Sequence, residues 1–273
     1  MKRVVITLAS FLLLPLALAA QTADQIVAKA LEARGGLARI KAVQAERISG
    51  SISFGTEANG PFVVELARPG KMHMEMTLPA GKIVRVYDGH GHGWVINPFD
   101  ENKGVQPMTA EDIQNIGEES DFDGPFVDYQ QKGNTVEYTG KENLDGKPAY
   151  RLKLTMKNGT VRNYLVDASS YLLLKWEGTR KQDNQDIPVE SVFKDYRDVN
   201  GMKFAFEIDS GAPGGPVAQK IIVDKIEIDP KLDGSRFMKP PEPMQSSLPG
   251  RTSGPRDIAV TAGRDGRDQQ SNR

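Results

Sequence analysis

The 273-residue chain contains no cysteine. Disulfide staples and thiol nucleophiles are therefore excluded, and the fold must be held by its core and its backbone ladders alone. Charge of one sign is also missing. Lys and Arg number 35 against 36 Asp and Glu, for a formal net charge of −1, so no basic excess exists to hold a nucleic-acid backbone. Catalytic signatures are absent as well. The chain has no Gly-x-Ser-x-Gly elbow, no phosphate-cradling glycine loop and no His-Glu-x-x-His. Glu118, Glu119, Asp121 and Asp123 cluster, but as a solvated acidic loop rather than the opposed carboxylates of a glycosidase cleft. The expectation is a binding protein without enzymatic chemistry or cofactor.

One long apolar run exists, and it lies at the start. Met1-Lys2-Arg3 precedes an almost wholly apolar Val4 to Leu18, and Ala17-Leu18-Ala19 places small residues where a signal peptidase reads. The run is short for a membrane span of ~20 residues and no second one follows. Residues 1–20 are expected to be a cleavable secretory signal, with an uncleaved anchor as the alternative. The expected location is the periplasm. From Pro240 the chain turns to Pro, Gly, Ser, Arg, Asp and Gln, a composition that cannot bury enough surface to offset ordering. A folded domain is therefore expected over 21–239 and a disordered, or partner-binding, tail over 240–273.

The mature chain opens with helical signals. Thr22 and Gln25 have capping-box spacing; Ile26, Val27, Ala30 and Leu31 share a helical face, and Gly35-Gly36 closes it. Leu37, Ile40 and Val43 mark a second short turn. From Ala45 the apolar period becomes two. Candidate strands are 46–55, 61–68, 71–78, 82–88, 92–98, 134–142, 149–157, 160–167, 171–180, 188–198, 202–210 and 218–228. Asp145-Gly146, Asn158-Gly159 and Asn200-Gly201 separate several of them in the manner of hairpin turns. One helix interrupts the series, with Thr109 as N-cap, Asp112 three residues on, and Ile113 and Ile116 on one side. The pattern predicts a mainly β protein: a curved antiparallel sheet or half-open barrel of about 11 to 12 strands, its apolar concave face covered by a few helices.

Strand 71–78 carries the clearest functional signal. Met72, Met74, Met76 and Leu78 alternate onto one face. A three-residue loop, Pro79-Ala80-Gly81, would set Met76 opposite Val84, Met74 opposite Val86 and Glu75 opposite Arg85. Methionine adapts to irregular apolar shapes, so the stripe reads either as ordinary core or as a deformable lining for a flexible apolar ligand. Tyr150, Leu152, Leu154 and Met156 alternate too, as do Leu172, Leu174 and Trp176; Phe204, Phe206 and Ile208; and Ile222, Ile226 and Ile228. Few helices are available to cover so much apolar strand surface, which favours a ligand cavity. Its expected lining is Met72, Met74, Met76, Leu78, Val84, Val86, Leu152, Leu154, Trp176 and Phe206. His73, His90 and His92 are the only histidines; with Asp88 they could bind a metal, but Asp88-Gly89-His90-Gly91-His92-Gly93 reads first as a glycine-rich turn, and no metal site is assigned.

The layout resembles the LolA/LolB lipoprotein-carrier superfamily. The similarity spans roughly residues 22–228 and rests on the N-terminal helix ending in Gly35-Gly36 followed by the meander. Local runs support it: Tyr87-Asp88-Gly89 with Gly93-Trp94-Val95-Ile96-Asn97-Pro98, Tyr164-Leu165-Val166-Asp167 with Leu172-Leu173-Leu174-Lys175-Trp176, and Tyr196-Arg197 with Val199-Asn200-Gly201-Met202-Lys203-Phe204. The resemblance implies a half-open barrel plugged by helices around a cavity for acyl chains. It further implies a monomeric carrier that takes lipoproteins or other lipid from an inner-membrane transporter toward an outer-membrane acceptor. A gating arginine is implied too, with Arg47, Arg68 and Arg85 as candidates. An envelope stress sensor or interaction module on the same fold is the alternative, and a metal-dependent activity a third.

Overall fold

A computed structural model describes residues 22–242 apart from 57, 80, 103, 183 and 184. The expected signal peptide, and the expected tail from residue 243 onward, lie outside the described residues. Helix α1, Ala23–Arg34, begins at the capping box: the Thr22 hydroxyl accepts from the Gln25 amide at 3.2 Å, and Gln25 Oε1 accepts from the Thr22 amide at 3.0 Å. It ends at Gly35, with φ +135°, where a β-carbon would also come within 2.8 Å of the Gly201 carbonyl oxygen. Helix α2 spans Leu37–Ala42. Helix α3, Ala110–Glu119, starts at a second capping box between Thr109 and Asp112.

The strands are β1 (Ala45–Phe54), β2 (Ala58–Ala67), β3 (Lys71–Leu78), β4 (Gly81–Tyr87), β5 (Gly93–Ile96), β6 (Gln106–Pro107), β7 (Thr135–Leu144), β8 (Lys147–Thr155), β9 (Val161–Asp167), β10 (Leu173–Gln182), β11 (Gln185–Val199), β12 (Met202–Gly211) and β13 (Val217–Ile228). They form one antiparallel sheet in the order β6-β5-β4-β3-β2-β1-β13-β12-β11-β10-β9-β8-β7. The sheet is curved and not closed, a half-open barrel. Its thirteenth strand among the described residues is the two-residue β6, too short to register as an apolar alternation. Every consecutive pair of strands is adjacent except β6 and β7, which are the two free edges. The chain must therefore travel from one edge to the other between residues 108 and 134, and α3 lies on that path.

The inward face follows from the ladders. Ile48, Val64, Met74 and Arg85 form one row across β1 to β4; Glu46, Leu66, Met72 and Tyr87 form the next. On the other half Tyr138, Leu152, Tyr164 and Trp176 align across β7 to β10. Helix α1 packs there: Ile26, Val27 and Ala30 join Leu152, Leu154, Tyr164 and Val166 in the largest buried cluster, in which Ile26, Leu152, Leu154 and Val166 are fully buried.

The structure corrects the expected β3–β4 register by one residue. Leu78 pairs with Gly81, so the loop is the two residues 79 and 80; Met76 lies opposite Ile83, Met74 opposite Arg85 and Glu75 opposite Val84. A one-residue change moves a whole strand face to the other side of the sheet. Val84 and Val86 consequently sit on the convex face with Glu75 and His73, and His73 lies opposite Val86. Two bulges correct other alternations. A register shift at Ser49/Gly50 turns Ile221 and Val223 inward and pairs Ile222 with Ser51 outside; another at β10 puts Leu173, not Leu172 or Leu174, in line with Val166. A bulge adds one residue to one strand and so breaks the period of two.

The cysteine-free background makes the register directly testable. Glu75→Cys with Val84→Cys should form a disulfide on mild oxidation, because cross-strand partners lie within bridging distance. Glu75→Cys with Arg85→Cys should stay reduced, because those side chains leave opposite faces. Thiol labelling under non-reducing conditions reads both, and the reverse pattern would reject the register.

Candidate functional site

The apolar concave surface divides into linked patches. Ile52, Phe62, Met76 and Leu78 are buried together, with half-buried Ile48, Val64, Met74, Ile83 and Ile221 packed against them. Leu66, Met72 and Ile116 of α3 form a second patch, again touching Ile48, Val64 and Met74. Phe206, Val223 and Ile226 form a third, also in contact with Ile48 and Ile221. Ile48 is thus the hinge of all three. Of the expected lining, Met72, Met74, Met76, Leu78 and Phe206 are brought into this continuous lane. Leu152, Leu154 and Trp176 face the same concavity but belong to the core under α1. Val84 and Val86 face away.

The crossing from β6 to β7 is fastened over this lane by charge. Arg85, in the methionine row, donates to Glu119 at 2.8 Å, and Arg180 of β10 donates to the other oxygen of Glu119 at 2.9 Å. Arg162 of β9 donates to Glu118. Helix α3 is therefore tied to both walls of the half-barrel. Just beyond it, Arg68 grips Asp123 through its two terminal guanidinium nitrogens, at 2.8 and 2.7 Å, and donates back from Nε to the Val43 carbonyl at 2.7 Å. Two parallel charge-assisted bonds of this kind fix orientation as well as distance. Arg34 of α1 donates to the carbonyls of Phe122 and Asp123. Asp121 receives Lys132 at 2.5 Å. The acidic run read as a solvated loop is instead the set of anchor points for the crossing. A cleft of about 150 Å³ remains beside it, lined by Arg68, Gly70, Ser120, Phe122 and Asp123.

Among the arginines singled out from sequence, Arg68 and Arg85 reach the crossing. Arg47 is on the convex face with Glu65 and Glu227. Arg34, Arg162 and Arg180 were missed. The readable signal was arginine at inward positions of apolar strands, since Arg162 alternates with Tyr164 and Arg180 with Gly178 and Trp176.

Glu46 was also missed. It lies on the concave face between Leu66 and Ile228 and is 3% exposed. Burial pushes its carboxyl up to about 7; Arg34 and Arg68 oppose that shift, while Asp123 and Asp229 add to it. Desolvation wins because the cations are already committed to the crossing.

The histidines have other employment. His73 is buried on the convex face, where Arg236 donates to its Nδ1 at 3.0 Å, to Glu75 at 3.0 Å and to Glu65 at 2.5 Å. Burial first, then the Arg236 charge, hold its pKa down. Arg236 and buried Phe237 belong to a 3-10 turn, Gly234–Phe237, that covers the convex side of β3 and β4, so Val86 is fully buried from that side. Asp88 caps its own turn, accepting from the amides of His90 and His92 and facing the His92 ring at 2.8 Å.

No protein-family model matches this sequence, and no curated protein matches it. Solved structures do match in shape. A LolA superfamily protein from Nitrosomonas europaea superposes with a TM-score of 0.51 at 16% identity, over 81% of this chain and 99% of that one. A DUF1329 family protein from Desulfovibrio piger superposes with a TM-score of 0.51 at 14% identity, over 80% of this chain and 98% of that one. The fold is LolA-like. At such identities the likeness is one of architecture, and what the LolA-like half-barrel does here must come from its own residues.

Glu46 sets a pH dependence with a definite sign. Its folded-state pKa is raised, so its favourable contribution is complete below the ordinary 4.5 and lost as pH rises through about 7. The difference is on the order of 3 kcal/mol. Urea unfolding should show wild type less stable at pH 8 than at pH 5, and Glu46→Gln should recover about 2 kcal/mol at pH 8. An unchanged pH profile in Glu46→Gln would show that the carboxyl is already ionised in the fold.

Proposed function

We propose that this protein binds acyl chains of lipids or lipoproteins on the concave face of its LolA-like half-barrel and carries them, without chemistry, across the periplasm toward the outer membrane. The carrying observation is the lane of Ile48, Val64, Met74, Ile83 and Ile221. These side chains line a concavity yet remain only half-buried, and the helix over them is held at its end by ion pairs. Apolar surface of this kind, rimmed by polar groups, is what a flexible hydrocarbon ligand covers. The methionines can re-pack around chains of differing shape. An export signal over residues 1–20, a working domain over 21–239, a monomeric carrier, and docking to an inner-membrane donor and an outer-membrane acceptor all belong to this reading.

Delipidated protein should take up a fluorescent fatty acid, and native mass spectrometry of freshly purified protein should find lipid bound. Met74→Asp places a carboxylate in the middle of the lane and should weaken uptake by about tenfold or more, since an unpaired charge is costly to desolvate. Thr77→Asp, on the exposed convex side of the same strand, should leave uptake unchanged. Uptake absent in wild type, or equal in Met74→Asp, would end this reading.

A further inference from the structure

The cations that tie α3 across the mouth form a cluster with more to it than a latch. Arg85, Arg162 and Arg180 converge on Glu118 and Glu119 from three different strands. Arg162 also lies over the Trp176 ring at 4.7 Å, and its Nε is buried with no hydrogen-bond partner. A small cleft of about 30 Å³ opens between α3 and β9–β10, lined by Arg162, Arg180, Lys181, Thr160, Thr179 and Asn115. Such a space holds about one water. Lys181 is itself paired with Asp186 at 2.9 Å.

A chain that fills the Leu66, Met72 and Met74 end of the lane displaces α3 there. Ile116 is fully buried against Leu66 and Met72, and a β-carbon at Gly93 would meet Ile113 at 2.8 Å. Displacement removes Glu118 and Glu119 from the arginines, of which Arg85 and Arg162 have side chains only 21% and 19% exposed. Breaking a partly buried ion pair by removing one partner is costly because the remaining charge is left uncompensated. A ligand that brings its own anion removes that cost, and a phosphate matches the fork geometry of guanidinium groups. Arg85 lies directly opposite Met74, so an anion held there would adjoin the apolar lane without a gap.

We propose that Glu118 and Glu119 occupy, in the closed protein, the place of a lipid phosphate: Arg85, Arg162 and Arg180 bind the anionic phosphate headgroup of a ligand whose acyl chains lie along the Met74 lane. This rests on the acyl-binding reading and narrows it to phosphate-bearing lipid.

The test titrates delipidated full-length protein calorimetrically with dihexanoyl phosphatidylglycerol, with dihexanoylglycerol and with inorganic phosphate. The phospholipid should bind at least about tenfold more tightly than the diacylglycerol, in keeping with charge-assisted hydrogen bonds. Arg162→Gln and Arg85→Gln should erase that preference, with diacylglycerol bound no more weakly than by wild type. Glu118→Gln with Glu119→Gln removes the competing anions and should tighten phospholipid binding about threefold or more. Equal binding of the two lipids by wild type overturns the headgroup site and leaves acyl binding intact. Inorganic phosphate binding as tightly as the phospholipid overturns it in favour of a free-phosphate site. Failure of both lipids to bind overturns the acyl reading and this proposal together. The wild-type comparison needs no variant to fold.

Discussion

A sheet of thirteen strands that does not close must return its chain from one free edge to the other, and here that return runs over the concave face. This single constraint organises the molecule. Hairpins account for every other strand connection, so β1 to β6 and β7 to β13 are two meanders joined along β1–β13 and bridged by α3. A bridge over an apolar concavity has to satisfy its own backbone and still leave the sheet its inward side chains. The capping box at Thr109 does the first at one end of α3. The arginines do the second, since each reaches up from the sheet to a carboxylate or carbonyl on the crossing rather than burying its charge below.

The two halves of the concave face are held by different physics. Under α1 the contact is apolar and complete, with Ile26, Leu152, Leu154 and Val166 fully buried. Contacts of that type resist opening because each lost methylene costs free energy and leaves a void. Under α3 the helix contributes one buried side chain, Ile116 against Leu66 and Met72, and partly exposed ion pairs supply the rest. Ion pairs of this kind can be exchanged for another counter-ion and are weakened by salt, as buried methylenes cannot be. Local opening therefore belongs to the α3 side, where the apolar lane lies, and the α1 side serves as the fixed wall.

Much of this was legible in the sequence. Both capping boxes, the Gly35 helix stop, the antiparallel meander and the inward methionines follow from spacing alone, because they depend on neighbours a few residues away. What was not legible depended on single inserted or omitted residues. The bulge at Ser49/Gly50 and the one before Lys175 each shift a face, and the two-residue loop before Gly81 moves Val84 and Val86 to the convex side. The acidic run was misread for another reason. Solvation is the ordinary fate of such a run, and its arginine partners come from the turn after β2 and from β4, β9 and β10, up to 61 residues away in the chain.

The register also decides where a positive charge stands. In the expected pairing Arg85 would have faced Glu75 on the convex side, a satisfied surface pair with no part in the concavity. In the observed pairing Glu75 is satisfied by Lys82 at 2.6 Å and by Arg236, and Arg85 stands opposite Met74 with Glu119 of the crossing as its counter-ion. A core built solely for stability has little use for such a cation, since an apolar side chain of similar volume often serves as well or better. Its place in the methionine row, with a counter-ion carried on α3, suits the proposed binding of an amphiphile better than it suits a sealed core.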